Sequence, residues 1–403
     1  MHTSWPTIDD PIDRAEFFLA LSRNDEDLVA YRNSAGQLSY LVNSHYLADE
    51  VLASDSFRPP SHPYRSLSNH LTSAGTFLLK LRKRIESNTN VPDQIQTTWI
   101  RSFPWLRSEL AKHATAGQAI DFGQAAKRWV SRVTAKLLFG KDIGLASGQF
   151  VKASDLIEES FVNRGGQPRS AEPVLLKAVL DDCEAFMDQL GLTFVSGYRG
   201  VATEVLARTA VRTLLNGYNA MATSLSWTMF LLACNPGIQS SIHRKISSST
   251  AAGALSQAKQ LGTCEMTRTA IMESLRLFPP AWLIGRVAQR EVEVGDYKFG
   301  KGDDVVISPY AMHRKPNLWE APTKFRPERF ENRGKHIAGF YPFGGGSNKC
   351  PASHFIVPQL QTMVGLLLTS FSFSPTSEAI RPRGLVSLRP TPWICLYVKE
   401  LDQ

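Results

Sequence analysis

The chain has 403 residues, of which 43% are apolar and 10% aromatic, so it can build a large buried core. Its formal net charge of +8 is spread along the chain, with no basic run interleaved with aromatic residues, which argues against nucleic-acid binding. The N-terminus is polar and no segment reaches about 18 apolar residues, so we expect neither a signal peptide nor a membrane anchor. The sequence has an odd number of cysteines, without paired spacing or a zinc motif: Cys183, Cys234, Cys264, Cys350 and Cys395. This predicts a reducing compartment and thus a soluble, cytoplasmic protein.

Length alone would suggest two or three domains, but no linker, charge block or repeat divides the chain, so we expect one unit. Alternation around residues 33–36 predicts a hairpin over residues 28–42. Three segments are predicted as helical because of their apolar spacing: residues 45–53, residues 99–139 with an interruption at 111–117, and residues 201–234. The last of these ends at Asn235-Pro236, and Gly165-Gly-Gln-Pro168 before it predicts a loop that could cover a substrate entrance.

The C-terminal third continues with a predicted helix over residues 266–278, strands over 292–307, a long apolar helix over 354–370 and closing strands over 384–398. Between the two helices lies Phe343-Gly-Gly-Gly-Ser-Asn-Lys-Cys350-Pro-Ala352. Its three glycines allow the backbone to turn sharply and approach a flat ligand. A thiol at the start of a helix is expected to have a lowered pKa, which suits a thiolate ligand of haem iron. A buried cysteine after a flexible loop is the alternative for this segment alone.

Two further patterns precede this loop. Glu273 and Arg276 are spaced i, i+3 and share one helix face, a pairing that is often only a solvated surface pair. The segment Phe325-Arg-Pro-Glu-Arg-Phe330 contains Arg329, which could join that pair. The three patterns occur in one order within the last third of the chain, which favours a common function over coincidence.

With these motifs the chain resembles the cytochromes P450, which are haem-thiolate monooxygenases. The resemblance is strongest from about residue 213 onward. It implies a mainly α fold with small β-sheets, in which haem b lies between a long central helix and the helix that follows the Cys loop. It also implies a single domain over residues 1–403, with a β-rich N-terminal lobe at 1–60, a helical body at 61–290, and the meander, Cys loop and C-terminal elements at 291–403.

The resemblance also assigns site residues. Cys350 falls on the position of the axial iron ligand, Phe343 on the aromatic residue beside the thiolate, and Gly346 on the glycine of the tight turn. Arg286 lies where many members bind a haem propionate, and Glu273, Arg276 and Arg329 match residues that hold the fold. Two positions depart from the family pattern: Asn348 replaces a charged propionate ligand, and Ala352 replaces a glycine. Both departures predict altered haem seating.

The family's central helix usually carries an acid and an alcohol that relay protons during oxygen activation. Counting back from Pro236 places Gly217 on the glycine of that motif, Asn219 on the acid and Ala220 on the alcohol. An amide and a methyl group cannot relay protons as a carboxyl and a hydroxyl do. Three explanations compete: a substrate that supplies its own polar group, chemistry that uses peroxide or rearrangement, or a shifted register in which Thr223 acts.

The family's substrate pockets point to five positions here, each of which could equally be ordinary packing: Tyr218, Met221, Trp282, Leu283 and Ile284. We expect oxygen insertion or oxidative ring closure or coupling on a small organic substrate, as in microbial secondary metabolism. Electrons would come from NAD(P)H through a separate ferredoxin or flavodoxin, because the sequence contains no flavin or iron–sulfur motif. The alternatives are a peroxide-using or isomerase-type enzyme that keeps the haem, and a haem-binding sensor or carrier without turnover.

Overall fold

The computed structural model describes residues 13–33, 36–60, 91–139, 201–248, 254–331, 337–350 and 352–401, together with isolated positions between 142 and 155. The loop predicted at residues 165–168 lies outside these ranges. The predicted class, mainly α with small β-sheets, is confirmed. Two short 3-10 turns, Pro327–Phe330 and Gly346–Asn348, lie in the C-terminal third.

The helices of the described residues are α1 (Arg14–Leu21), α2 (His45–Ala53), α3 (Val91–Ala116), α4 (Phe122–Phe139), α5 (Val201–Cys234), α6 (Pro236–Ser247), α7 (Ala254–Thr263), α8 (Glu265–Leu277), α9 (Pro309–Met312) and α10 (Ser353–Ser370). The predicted helix over residues 99–139 is two helices, α3 and α4. A left-handed turn at Gly117 (φ 62°) and a two-residue strand separate them, because glycine adopts this conformation without steric cost.

The strands are β1 (Leu28–Arg32), β2 (Leu38–Val42), β3 (Phe57–Arg58), β4 (Ile120–Asp121), β5 (Ile284–Ala288), β6 (Val292–Val294), β7 (Tyr297–Phe299), β8 (Asp304–Ile307), β9 (Phe371–Pro375), β10 (Arg381–Gly384), β11 (Leu388–Thr391) and β12 (Cys395–Glu400). The predicted hairpin is β1 paired antiparallel with β2, with Leu28 opposite Val42. Its alternating side chains place Val29, Tyr31 and Leu41 in the core, as expected for a sheet with one buried face.

Contacts along the backbone divide the chain into two compact units. The first unit contains Met1–Ser66, Met272–Ser353 and Arg381–Arg389. Its main sheet has five strands in the order β1-β2-β8-β5-β3, in which β2 and β8 are parallel and the other pairs antiparallel. One apolar cluster joins α2 to β5 and β8, and a second joins α1 to the β1–β2 hairpin and Trp282.

The second unit contains Leu67–Ile271, His354–Ile380 and Pro390–Gln403. The 34-residue helix α5 packs against α4, and a three-stranded sheet has the order β4-β12-β9. Asn235 ends α5, because the following Pro236 begins α6 at a position where its missing N–H costs nothing. The buried side chain of Gln239 bonds the backbone of Leu232 and of Phe373, which fixes the end of α5 to β9.

The expectation of a single domain, with its three subdivisions, stays a prediction beside this division into two units. Within the described residues, no helix combines the length and the apolar character needed to span a bilayer.

Candidate functional site

The segment Phe343–Cys350, here called the Cys loop, is a tight reversal in the first unit. The backbone N–H of Cys350 donates to the carbonyl of Phe343 at 2.8 Å, which closes the loop. Gly344 and Gly346 have φ of 71° and 63°, in the left-handed region that strains other residues. A Cβ on Gly346 would also overlap the backbone oxygen of Leu52 in α2, so the backbones of loop and helix touch here.

Helix α2 holds the residues just before the Cys loop. The Tyr341 hydroxyl lies 2.9 Å from the carboxylate of Asp49 and 3.1 Å from the carbonyl of His45, one helical turn apart. The backbone N–H of Tyr341 donates to Nε2 of His313 at 2.9 Å. Tyr341 is thus bonded at both its backbone and its hydroxyl, and it is only 6% exposed.

The prediction of a lowered pKa for the Cys350 thiol is wrong for the chain alone: burial raises it. Burial disfavours the charged thiolate and outweighs the backbone N–H groups of Ala352 and Ser353 and the positive charge of Lys349, which all lower the pKa. These same groups favour the thiolate once a metal cation binds the sulfur, because a coordinating thiol loses its proton.

Glu273, Arg276 and Arg329 come together in the first unit, with both members of the helical pair fully buried. Arg276 forms a two-pronged ion pair with Glu273, both contacts at 2.7 Å, and Nε of Arg329 lies 3.0 Å from the same carboxylate. The remaining donors of Arg276 bond the carbonyls of His313, Pro322 and Lys324. This arrangement ties helix α8 to the backbone that leads toward the Cys loop.

His313 extends this network to the Cys loop and was not singled out in the sequence. Nδ1 lies 3.0 Å from the carbonyl of Arg276, and Nε2 accepts from Tyr341, so the neutral ring with a proton on Nδ1 satisfies both contacts. The pKa of His313 is lowered to about 3, chiefly by burial; the hydrogen bond to Arg276 opposes this, and the charges of Arg276 and Arg314 add to the lowering. The chain from Glu273 through Arg276 and His313 thus reaches Tyr341, two residues before the loop.

The three remaining residues predicted to contact haem, Arg286, Asn348 and Ala352, differ in exposure. Arg286 in β5 is 4% exposed, and one of its terminal nitrogens donates to the carbonyl of Gly285. Asn348 is exposed and donates to the hydroxyl of Ser347 at 3.2 Å. Ala352 is half-buried in the turn before α10. Their contacts with haem stay predictions.

In the second unit, Asn219 and Ala220, at the positions of the family's acid and alcohol, and Thr223, the alternative relay residue, lie on α5. Asn219 and Thr223 are buried, and the carbonyl of Ala220 accepts from the Ser224 hydroxyl at 2.8 Å. The hydroxyls of Ser226 and Thr228 likewise bond carbonyls four residues earlier. Thr223 differs: its hydroxyl is buried and has no hydrogen-bond partner among the described residues.

The predicted pocket residues fall into both units. Tyr218 is fully buried, with its ring centroid 5.1 Å from that of Phe150, and Met221, three residues later, is half-buried. Trp282 lies in an apolar cluster with Phe18, and its indole N–H donates to the carbonyl of Leu385 at 2.8 Å. Such complete packing favours a core role for Trp282. Leu283 and Ile284 are half-buried at the edges of the two apolar clusters.

Comparison with known proteins agrees with this geometry. The family model described as "Cytochrome P450" matches residues 186–394, slightly more than half of the chain. The chain belongs to the cytochrome P450 family. Its members are haem-thiolate monooxygenases and oxidases, which confirms the enzyme class predicted from the motifs.

Similar curated proteins come from distant organisms. The chain is 27% identical to a cyclooctatin synthase of Streptomyces melanosporofaciens over 69% of its length, which covers 67% of that protein. It is 29% identical to cytochrome P450 705A20 of Arabidopsis thaliana over 67% of its length, and 31% identical to cytochrome P450 4V2 of Homo sapiens over 47%. These alignments span only 52% and 38% of the plant and human proteins.

The residues present fit haem, the group that the P450 family implies. The backbone N–H groups of Ala352 and Ser353 and the positive charge of Lys349 each lower the pKa of the Cys350 thiol, and therefore favour the thiolate that binds iron. The glycines leave the Cys loop free of side chains at two of its turns. Arg286 supplies a buried cation of the kind that binds a carboxylate.

The sequence motifs located the Cys loop and the Glu273 network but missed the supporting residues His313, Tyr341, Asp49 and Leu52. Tyr341 bonds residues 28 and 292 positions away in sequence, so no local spacing announces either contact. The sequence signal for Tyr341 is a hydroxyl-bearing aromatic residue just before a glycine-rich loop, and this signal is weak.

Proposed function

We propose that this P450 acts as a monooxygenase or oxidase on a small organic substrate, by oxygen insertion or by oxidative ring closure or coupling. The observation that carries the proposal is the Cys loop itself: the N–H of Cys350 closes it on the carbonyl of Phe343, and Gly344 and Gly346 adopt left-handed turns just before the cysteine. A role in secondary metabolism is supported by the similarity to a bacterial cyclooctatin synthase. Electrons would come from NAD(P)H through a separate ferredoxin or flavodoxin.

The residues of the chain divide the work of holding the cofactor. Cys350 would bind the iron, and its N–H donors would withdraw charge from the sulfur. Arg286 would pair with a propionate, and the exposed Asn348 would add an uncharged hydrogen bond there. When bound, haem supplies the oxidising iron chemistry, which thiolate ligation directs toward cleavage of the O–O bond.

The first test is an optical titration of the purified ferric protein with a panel of small metabolites, aromatic amino acids and their peptides included. A substrate that displaces water from the iron shifts the Soret band to shorter wavelength, and saturation identifies the substrate class. Cys350→Ala should lose the thiolate-type carbon monoxide spectrum. Survival of that spectrum in Cys350→Ala would refute the ligand assignment and the proposed function.

A peroxide-using or isomerase-type enzyme is the second candidate, favoured by Ala220 at the position of the relay alcohol. Turnover with peroxide alone that exceeds turnover with a reductase and NADPH would establish it. A sensor or carrier role would require that neither oxidant system gives product with a ligand that shifts the Soret band.

Thr223 offers a relay hydroxyl one turn beyond Ala220, because among the serines and threonines of residues 218–234 it is the one whose hydroxyl does not bond the helix backbone. The competing explanation, a polar group on the substrate, predicts that Thr223 is dispensable. Peroxide-driven chemistry predicts the same.

We expect Thr223→Val to lower the fraction of oxygen consumption that yields product by at least about fivefold, since a positioned proton donor accelerates transfer by larger factors. Thr228→Val is the matched control, because that buried hydroxyl already bonds the carbonyl of Ser224 at 2.7 Å. The carbon monoxide stretching frequency of the reduced protein is the second readout. Equal behaviour of the two variants in both measurements would exclude Thr223 as the relay.

A further inference from the structure

Helix α2 and the Cys loop meet in two ways within the first unit. Leu52 contacts the glycine turn, where a Cβ on Gly345 would come within 2.9 Å of the leucine side chain and one on Gly346 would overlap its backbone oxygen. One turn earlier in the helix, Asp49 and the carbonyl of His45 receive the Tyr341 hydroxyl. The first contact is steric, and the second is a hydrogen bond to a carboxylate.

Tyr341 is the point at which two supports of the loop converge. Its backbone N–H is fixed by His313, which belongs to the buried network around Arg276. Its hydroxyl is fixed by α2, whose outer face is open to solvent at Tyr46, 74% exposed. The pKa of the Tyr341 hydroxyl is raised by burial and by Asp49, so the hydroxyl keeps its proton and donates.

We propose that the Tyr341–Asp49 hydrogen bond is a positioning device for the Cys350 thiolate. Tyr341 lies two residues before Phe343, whose carbonyl receives the N–H of Cys350 at 2.8 Å. A shift of Tyr341 is therefore passed through Phe343 to Cys350, and moves the backbone that carries the sulfur. This inference rests on the proposed function, in that Cys350 must bind haem iron.

Substitutions at Tyr341 and Asp49 separate the effect of the hydrogen bond from the effect of the charge on Asp49. Tyr341→Phe removes the donor and keeps the ring, which is 6% exposed. Asp49→Ala removes the acceptor, whereas Asp49→Asn keeps an acceptor oxygen without the charge. Tyr40→Phe is the matched control, because Tyr40 belongs to the same unit but packs on Phe299, with ring centroids 6.0 Å apart.

The test uses the haem-loaded protein and two readouts: the reduction potential of the haem, and the rate at which the thiolate-type carbon monoxide spectrum converts to the thiol type in mild urea. We expect Tyr341→Phe and Asp49→Ala to raise the conversion rate about tenfold each, the upper end of the range for loss of one hydrogen bond. Their double variant should be no faster than either single variant, and both should shift the potential. Asp49→Asn and Tyr40→Phe should match the unmodified protein.

Three results would overturn the proposal: an unchanged rate and potential in Tyr341→Phe, additive effects in the double variant, or Asp49→Asn behaving as Asp49→Ala. If Tyr341→Phe fails to bind haem, the comparison of the two Asp49 variants decides, since that side chain is partly exposed. Absence of the thiolate-type spectrum in the unmodified protein would instead refute the proposed function itself. The two failures are thus distinguishable.

Discussion

At the scale of single residues, His313 and Cys350 in the first unit show how burial and polar neighbours together shift the pKa of a side chain. His313 is completely buried, and mainly for this reason its pKa is lowered to about 3. Its two backbone contacts suit the neutral ring. Cys350 is half-buried and gains N–H donors that suit the charged sulfur, yet burial still raises its pKa. In both groups burial therefore outweighs the polar neighbours in setting the direction of the pKa shift.

His313 should make the protein less stable in mild acid. In the unfolded chain a histidine takes up a proton near its ordinary pKa of 6.5, whereas His313 in the folded chain does so only near 3. The unfolded state then binds more protons, so stability falls as pH drops from 6.5 toward 3, by up to roughly 1.4 kcal/mol per pH unit. Urea denaturation at several pH values in this window measures the slope.

His313→Gln should flatten that slope by about one proton per molecule, while lowering stability at pH 7 through loss of the ring contacts. His243→Gln is the control, because that ring is partly exposed and bonds a single carbonyl, that of Leu368. An acid slope in His313→Gln as steep as in the unmodified protein would assign it to other groups.

The sequence predicted single residues well where chemistry depends on short spacing. Glu273 and Arg276 lie three positions apart, and the Cys loop is contiguous, so both patterns are visible in the chain. The raised pKa of the thiol could not be read in this way, because it depends on how deeply Cys350 is buried. His313 was missed because its partners, Arg276 and Tyr341, lie in two separate segments on either side of it.

At the scale of elements, helix α8 contains two Glu–Arg pairs that differ in burial. Glu265 with Arg268 and Glu273 with Arg276 share the i, i+3 spacing and two contacts each of 2.6–2.7 Å. The side chains of the first pair are 60% and 30% exposed, and those of the second are fully buried. The helix therefore carries an internal comparison of a surface and a buried ion pair.

We expect Glu273→Gln to destabilise the fold by about 3–5 kcal/mol, because it leaves the buried Arg276 and Arg329 without their counter-charge. Glu265→Gln, the matched control, should cost at most about 0.5 kcal/mol. Urea denaturation of both variants checks this. Similar losses in the two variants would show that burial does not set the strength of these pairs.

The elements themselves were largely predictable from apolar spacing and from proline and glycine. The hairpin, helix α2 and the full extent of helix α5 match their predicted ranges, because each has clear end signals. The sequence indicated an interruption between α3 and α4 but not the strand that separates them, because nothing local indicates that Ile120 pairs with Leu396. Which hydroxyls of α5 bond its own backbone was likewise hidden from the sequence.

At the scale of the whole molecule, the net charge of +8 and a pI of about 9.2 favour an acidic electron donor. We expect the rate of haem reduction by an acidic ferredoxin to fall at least about tenfold between about 0.05 M and 0.5 M salt, as attraction between the proteins is screened. Stopped-flow reduction measures this. Reduction by a small uncharged chemical reductant is the control and should change little.

An equal salt effect on the chemical reductant would remove the case for electrostatic attraction.

The fold class of the molecule followed from its motifs, whereas its division into two units did not. Each unit is built from three separated stretches of chain, so no linker marks the boundary between them.

The contact between Gly346 and the backbone of Leu52 restricts how this protein can be recombined with its relatives. Since main chain meets main chain there, no side-chain repacking can repair a mismatch between a helix α2 and a Cys loop taken from different parents. Chimaeras should therefore inherit residues 44–54 and 341–353 from the same parent. Crossovers that separate these two distant stretches would yield chains that fail to incorporate haem, even where each stretch alone is well suited to its own parent.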